Sequence, residues 1–136
     1  MGILKFMGIE NYAGWLAMGL PYGILKKVEI ARALMASPRL IIMDEPAAGL
    51  NDIETKELTE TIRRIRDTFG VTILLVEHDM GLVMNVCDTV CAISFGQMLA
   101  IGTTEEIQKN KAVQEAYLGV DEEEETLSEN TEKEAE

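Results

Sequence analysis

The hydrophobic positions of this chain follow two periods, one typical of amphipathic helices and one of buried strands. We predict a helix over about residues 22–36, which begins after Pro21 and ends before Pro38. A second helix should begin at Asn51, where Glu54 completes the pattern of a capping box, and should end at Gly70. The apolar positions that define these two helices are Ile24, Val28, Ala31 and Met35, then Leu58, Ile62, Ile65 and Phe69.

Two apolar runs, residues 40–43 and 71–76, flank the second helix and are typical of strands. The order strand, helix, strand predicts a crossover unit in which the two strands are parallel. Because the carboxyl ends of parallel strands lie at one edge of a sheet, the polar residues that follow each run should meet there. This pattern predicts an α/β fold.

The rest of the chain predicts smaller elements. Asp79 should cap a short helix that ends near Cys87, and residues 89–95 and 97–101 should pair as a hairpin. A capping box that starts at Thr103 opens a last helical segment, in two pieces, to about residue 118. Residues 1–20 read as the end of a helix followed by turns, and form the first of three predicted regions; the others are residues 21–119 and 120–136.

The charge of the chain is unevenly distributed. Residues 121–136 contain nine acids and one lysine, so they carry −8 of the total of −12. Such a segment has too few apolar residues to offset the entropy of ordering, and we predict a disordered acidic tail. The remaining residues have no extended basic cluster, which argues against a nucleic-acid partner. No apolar run is long enough to cross a bilayer, and Cys87 and Cys91 are expected to be buried, unpaired thiols.

Acidic residues follow the first strand and a histidine follows the second. Asp44 could hold Mg²⁺ through oxygen, and Glu45 could accept a proton from a water molecule near the metal. His78, the single histidine of the chain, could donate a hydrogen bond to a phosphate oxygen. The alternative is structural, because an acid before Pro46 can cap a turn and a histidine in a turn often has no direct role.

The first helix also offers a binding site. Gly23 near its start allows close approach of another molecule to free amides at the positive end of the helix dipole. Pro21 and Gly23 could equally be ordinary residues of a helix start. No glycine in the chain is followed by lysine, so the glycine-rich phosphate loop that commonly accompanies such a strand is not in this sequence.

Four segments in this order resemble motifs of the ATPase subunits of ABC transporters. The segments are LPYGILKKVEIARAL (residues 20–34), LIIMDEP (40–46), AAGLND (47–52) and VEHDM (76–80), which resemble the signature, Walker B, D-loop and switch-histidine motifs. The stretch from Gly102 to Gly119 is similar to the end of the branched-chain amino-acid importer type. The resemblance extends over about residues 1–119 and to the C-terminal half of such a subunit, and it implies the corresponding half of a P-loop NTPase domain.

The resemblance implies roles for individual residues. Asp44 would hold Mg²⁺ through water, Glu45 would be the general base, and His78 would contact the γ-phosphate of ATP. The residues implied to face a homologous partner subunit and its ATP are Pro21, Tyr22, Gly23, Gly49, Leu50 and Asn51. Membrane permeases and, indirectly, a substrate-binding protein would be further partners, with the chain at the cytoplasmic side of the cell membrane.

This sequence departs from the family pattern at three positions. Pro21 stands where a serine is expected, Ile24 where a glutamine is expected, and Asn51 where an aspartate is usual. Pro21 and Ile24 remove side-chain hydrogen bonds, so contacts to the partner's nucleotide should be weaker, whereas Asn51 keeps an acceptor and loses only a charge. We interpret Pro21 as variation within the branched-chain type.

The larger departure is the missing N-terminal half with its phosphate loop, so we expect no ATP hydrolysis by this chain alone. Two other interpretations stay open. One is a non-catalytic fragment that supplies signature and D-loop contacts to an intact homologue. The other, a chromosome-maintenance or repair ATPase that shares these motifs, is disfavoured by the short crossover and the importer-like ending.

Overall fold

The computed structural model describes residues 2–118, which divide into two compact units, one ending at Val86 and one starting at Cys87. The predicted acidic tail, residues 120–136, lies outside the described residues. The first unit contains α1 (Gly2–Phe6), α2 (Tyr22–Met35), β1 (Leu40–Asp44), α3 (Asp52–Phe69), β2 (Thr72–Val76) and α4 (Met80–Val86), with short 3₁₀ turns at Glu10–Tyr12 and Ala17–Gly19.

The helices of the first unit begin and end where local signals predict. The Asn51 side chain accepts hydrogen bonds from the amides of Ile53 and Glu54, and the Glu54 carboxylate accepts one from the Asn51 amide, so the capping box of α3 is complete. Gly70 ends α3 in the left-handed conformation, with φ of 61°. The amide of Leu82 donates to Asp79, which caps α4 as predicted.

Strands β1 and β2 form a parallel two-stranded sheet in which Leu40 pairs with Thr72 and Asp44 with Val76. The predicted crossover is confirmed. One face of the pair is directed to the core, where Ile41 and Met43 are buried among residues of the helices. The centre of this core contains Leu58, Ile62, Ile65 and Leu82, each almost fully buried.

The second unit is built on an antiparallel hairpin of β3 (Val90–Ser94) and β4 (Gln97–Gly102). Its two-residue turn consists of Phe95 and Gly96, both with positive φ, as this kind of hairpin requires. Helices α5 (Thr104–Gln108) and α6 (Lys111–Val113) follow, and a π-helical turn covers Gln114–Leu118. The capping box that starts at Thr103 is present.

The prediction of two buried thiols is wrong for one of them. Cys87 is half-buried, whereas Cys91 is exposed on β3, and both are free. Residues of a strand alternate between its two sides, and Ala92 rather than Cys91 takes the buried position.

Candidate nucleotide site at the strand ends

The candidate site lies where β1 and β2 end, at one edge of the parallel pair. Asp44 is the last residue of β1 and is exposed. The pairing continues one residue further, because the Glu45 amide donates to the Val76 carbonyl at 2.8 Å. The loops that begin at Glu45 and Glu77 therefore start side by side.

Glu45 and His78 approach each other across these two loops. The Glu45 Oε1 and His78 Nδ1 atoms are 3.6 Å apart, and both side chains are exposed. Glu45 adopts φ of 43°, in the left-handed region that non-glycine residues rarely occupy. Strained backbone of this kind is concentrated at functional sites. The structure thus brings together two of the residues that the sequence marks for chemistry.

Glu77 is a site residue that sequence reasoning missed. Its side chain is only 1% exposed. One carboxylate oxygen accepts a hydrogen bond from the Ala47 amide at 2.8 Å, and the other accepts from the amides of His78 and Asp79 at 3.1 and 3.4 Å. A single carboxylate therefore holds the loop after β1 against the loop after β2. The available signal was an acid directly after an apolar strand, the same signal that marks Asp44.

The donor set at this edge fits a metal ion that is shared with a ligand. Nowhere in residues 2–118 do three histidine, cysteine or acidic side chains cluster closely enough to hold a metal by themselves. Mg²⁺ commonly uses one or two carboxylates and completes its coordination with water and phosphate oxygens. The exposed carboxylate of Asp44 suits that arrangement and does not suit a site built from protein alone.

A second group of predicted residues meets at the start of α2. Pro21 occupies the N-cap position, and its side chain forms no capping hydrogen bond. The Tyr22 hydroxyl donates to the Ala48 carbonyl at 3.1 Å. Gly49 has φ of 78°, and a Cβ atom there would lie 3.1 Å from the Tyr22 ring. Tyr22 therefore joins α2 to the loop between β1 and α3.

Gly23 is in close contact with the capping box of α3. A Cβ atom at Gly23 would lie 2.8 Å from Oε1 of Glu54, the carboxylate that accepts from the Asn51 amide. Leu50, which directly precedes Asn51, is partly buried against the core. Pro21, Tyr22, Gly23, Gly49, Leu50 and Asn51 are thus part of one local arrangement, which we call the helix-start cluster.

The comparisons with known proteins agree with these features. A family model described as the branched-chain amino acid ATP-binding cassette transporter matches residues 97–123. The "high-affinity branched-chain amino acid transport ATP-binding protein" LivG of Salmonella typhimurium is 47% identical over 116 residues, which are 85% of this chain and 46% of that protein. BraF of Pseudomonas aeruginosa, which carries the same description, is 45% identical over 116 residues, which are again 85% of this chain and 46% of that protein. The chain is similar to the ATP-binding proteins of ABC transporters, branched-chain amino-acid type, over less than half of their length.

A solved structure supports the fold assignment. The structure titled "ADP conformation of MJ1267, an ATP-binding cassette of an ABC transporter" matches with a TM-score of 0.78 and 31% identity, over 88% of this chain and 48% of that one. The predicted fold class, the C-terminal half of a P-loop ABC ATPase domain, is confirmed. The chain spans about half the length of the curated relatives that it matches.

None of the helices within residues 2–118 is both long enough and apolar enough to cross a membrane. The two places that the ABC family motifs mark, the strand ends and the helix-start cluster, both lie in the first unit. The loop that connects them starts at Glu45 and ends at the N-cap of α3, Asn51.

Proposed function

We propose that this chain supplies the strand-end catalytic residues and the signature contacts of an ATP-hydrolysing subunit of an ABC importer for branched-chain amino acids. The observation that carries the proposal is the 3.6 Å approach of Glu45 to His78 at the ends of two parallel strands. The similarity to LivG and BraF supports the transported class. The phosphate loop would come from the half of such a domain that this chain does not match.

In the proposed reaction, each residue acts by position and charge. Glu45 would accept a proton from the attacking water, and His78 would hydrogen-bond to an oxygen of the transferred phosphate. Asp44 would hold Mg²⁺, which neutralises phosphate charge when it is bound with ATP. Glu77, whose Oε2 atom lies 4.0 Å from His78 Nδ1, would keep the two loops in place through its hydrogen bonds to their amides. Phosphoryl transfer depends mainly on such positioning and charge stabilisation.

The helix-start cluster would face the nucleotide of a homologous ATPase subunit. Its members are tied together by the Tyr22 hydroxyl and by the contact of Gly23 with Glu54. The assembly would include two membrane permeases, would receive its cargo through a substrate-binding protein, and would lie at the cytoplasmic face of the cell membrane.

A second candidate function is supported by the same cluster. A chain without catalysis of its own could still supply the signature helix and the following loop to an intact homologue. The Tyr22 and Glu54 contacts favour this candidate, because they hold the cluster together without any nucleotide.

Two variants separate the candidates. ATP turnover is measured for the chain alone, for an intact homologous subunit alone, and for their mixture, with Glu45→Gln and Gly23→Arg chains in parallel. If the chain contributes catalysis, turnover added by mixing falls at least about 100-fold with Glu45→Gln. If it contributes only the signature contacts, Glu45→Gln has no effect and Gly23→Arg abolishes the stimulation. If the isolated chain hydrolyses ATP and Glu45→Gln abolishes that turnover, the expected need for a phosphate loop is contradicted. If no chain raises the ATP turnover of the homologous subunit, both candidates are contradicted.

A further inference from the structure

A groove of about 290 Å³ lies between the first turns of α2 and α3, and all the residues that line it belong to the first unit. The lining residues of α3 are spaced by three or four, so they form one stripe of that helix: Glu54, Glu57, Leu58 and Thr61. The lining residues of α2 come from its first two turns: Gly23, Ile24, Lys26 and Lys27. We call this space the α2–α3 groove.

Part of the α2–α3 groove is apolar. Leu58 is only 4% exposed, and Ile24 and Leu50 are partly buried against the core. Tyr12 and Pro21, from the segment before α2, add further apolar surface. The volume is at the lower limit of the range for sites of drug-sized ligands, about 300–1,000 Å³. The groove therefore suits a small molecule with an aliphatic group.

Charges of opposite sign line the two sides of the groove. Lys26 and Lys27 lie on α2, whereas Glu54 and Glu57 lie on α3. The Nζ atom of Lys27 and the Oε2 atom of Glu57 pair across the groove at 3.0 Å. The two lysine side chains are only 20% and 25% exposed, so water screens their charges less than at an open surface. A ligand between the helices meets cations on one side and anions on the other.

Two of these four groups have binding capacity that the chain does not use. Glu54 accepts the Asn51 amide through Oε2 at 3.0 Å, whereas its Oε1 atom lies next to Gly23 and accepts no hydrogen bond from within residues 2–118. The Nζ atom of Lys26 is 3.8 Å from Oε2 of Glu29, which is longer than a hydrogen bond. An ammonium group at Glu54 and a carboxylate at Lys26 would therefore leave the cap of α3 intact.

The charge pattern disfavours other classes of ligand. A phosphate would bring its negative charge next to Glu54 and Glu57, and a metal ion would bring positive charge next to Lys26 and Lys27. No metal-binding cluster of acids, histidines or cysteines occurs in residues 2–118. A wholly apolar molecule would desolvate these charged groups without giving them a partner. A small α-amino acid carries a carboxylate, an ammonium group and an apolar side chain, which match the three parts of the groove.

We propose that the α2–α3 groove is a binding site for a branched-chain α-amino acid. Its carboxylate faces Lys26 and Lys27, its ammonium group faces the acids of α3, and its side chain packs on Ile24 and Leu50. The inference rests on the proposed function for one point, the branched side chain, because that is the proposed cargo. The bound amino acid would contact Gly23 and Leu50 of the helix-start cluster, so the subunit would sense its cargo beside the surface proposed to face the partner's nucleotide.

The test measures binding without ATP. The full 136-residue chain is titrated with L-leucine, and the dissociation constant is determined by ligand-observed nuclear magnetic resonance. We expect a value on the order of 1 mM, because the ligand is small and the groove is open to water. Leucinamide lacks the carboxylate, 4-methylpentanoate lacks the ammonium group, and L-aspartate lacks the apolar side chain. Each should bind at least about 10-fold more weakly than L-leucine.

Variants locate the site. Lys27→Gln and Glu57→Gln each remove one charge from the groove and should weaken L-leucine binding at least about 10-fold. The matched controls, Lys56→Gln and Glu60→Gln, remove the same charges from exposed positions of α3 outside the groove and should bind like the wild type. Thr61→Trp fills the groove without removing a charge and should abolish binding. Circular dichroism confirms that each variant is folded.

A further measurement needs no variant. Addition of L-leucine should shift the amide resonances of Gly23, Leu50 and Thr61 and leave those of Gly96 and Gly102, in the second unit, unchanged. No binding at about 10 mM L-leucine would overturn the proposal. Equal binding of leucinamide, 4-methylpentanoate or L-aspartate would overturn the assigned chemistry, and unchanged binding by Thr61→Trp would overturn the assigned place.

ATP turnover is measured separately, in the mixture with an intact homologous subunit and with Glu45→Gln beside the wild type. Binding of L-leucine without any turnover that depends on Glu45 would contradict the proposed catalytic function and leave the amino-acid site standing. Turnover that depends on Glu45, in a chain that does not bind L-leucine, would do the reverse.

Discussion

The Glu77 carboxylate accepts the amide hydrogen of Ala47 at 2.8 Å, although the two residues belong to loops that follow different strands. The same carboxylate also accepts from the amides of His78 and Asp79. The separation of Glu45 from His78 therefore depends on an acid that joins the two loops through their backbone amides and whose Oε2 atom lies 4.0 Å from His78 Nδ1. Glu77 is a positioning residue for the candidate site.

Removing the Glu77 carboxylate should destabilise the first unit. Glu77→Ala leaves three amide donors without their acceptor, at a position where the side chain of the acid is only 1% exposed. We therefore expect the free energy of unfolding to fall by about 2–3 kcal/mol. Glu77→Gln keeps one acceptor oxygen and should lose less. Urea unfolding followed by circular dichroism measures both, with the exposed Glu60→Ala on α3 as control. Equal stability of Glu77→Ala and the control would refute this role.

The left-handed backbone conformation of Glu45 predicts that glycine is more stable than alanine at this position. Glycine adopts φ of 43° freely and alanine does not, so Glu45→Gly should be about 1 kcal/mol more stable than Glu45→Ala. Both variants lack the carboxylate, so the difference reports the backbone alone. Thermal and urea unfolding of the pair measure it. If Glu45→Gly is the less stable of the two, the backbone is not strained in solution.

The contact of Gly23 with Glu54 predicts an energetic coupling between α2 and α3. Gly23→Ala should displace the Glu54 carboxylate from the Asn51 amide and cost about 1 kcal/mol, the usual worth of a cap. In a chain that already carries Glu54→Ala, the same substitution should cost much less. A double-mutant cycle of unfolding free energies measures the coupling. Additive effects of the two substitutions would contradict it.

The helix boundaries could be predicted from the sequence because the signals that set them lie close together in the chain. The caps at Asn51, Asp79 and Thr103 depend on residues within one helical turn, and all three are present. The approach of the strand ends follows from one topological fact, that strand-helix-strand units pair in parallel.

The features that escaped prediction depend on contacts between distant segments. Glu77 and Asp79 look alike in sequence, and only the path of the loop around Ala47 makes one of them buried. The contact of Gly23 with Glu54 requires the packing of two helices that are separated by a strand. Cys91 appeared buried because its neighbours are apolar, yet strand alternation turned it outward.

The cap of α5 should depend on pH. The pKa of Glu106 is lowered below its ordinary value of 4.5, first by the hydrogen bond from the Thr103 amide and second by the bond from the Thr103 hydroxyl. A carboxyl with a lowered folded-state pKa contributes stability above its unfolded value, and this contribution is lost as pH falls through the folded value. The amide chemical shift of Thr103 should therefore titrate below pH 4.5. Glu106→Gln should abolish that titration, and a midpoint above 4.5 would contradict the assignment.

The two thiols should react with a disulfide reagent at different rates. Cys91 is exposed, whereas burial and then the neighbouring Asp88 raise the pKa of Cys87, so Cys87 has less thiolate at neutral pH. At pH 7.5, Ellman's reagent should give two phases, the slower by about 10-fold or more. Cys91→Ser should remove the fast phase and Cys87→Ser the slow one. Because Asp88 is the second cause of the raised pKa, Asp88→Asn should accelerate only the slow phase. A slow phase that is unchanged in Asp88→Asn would assign the low reactivity of Cys87 to burial alone.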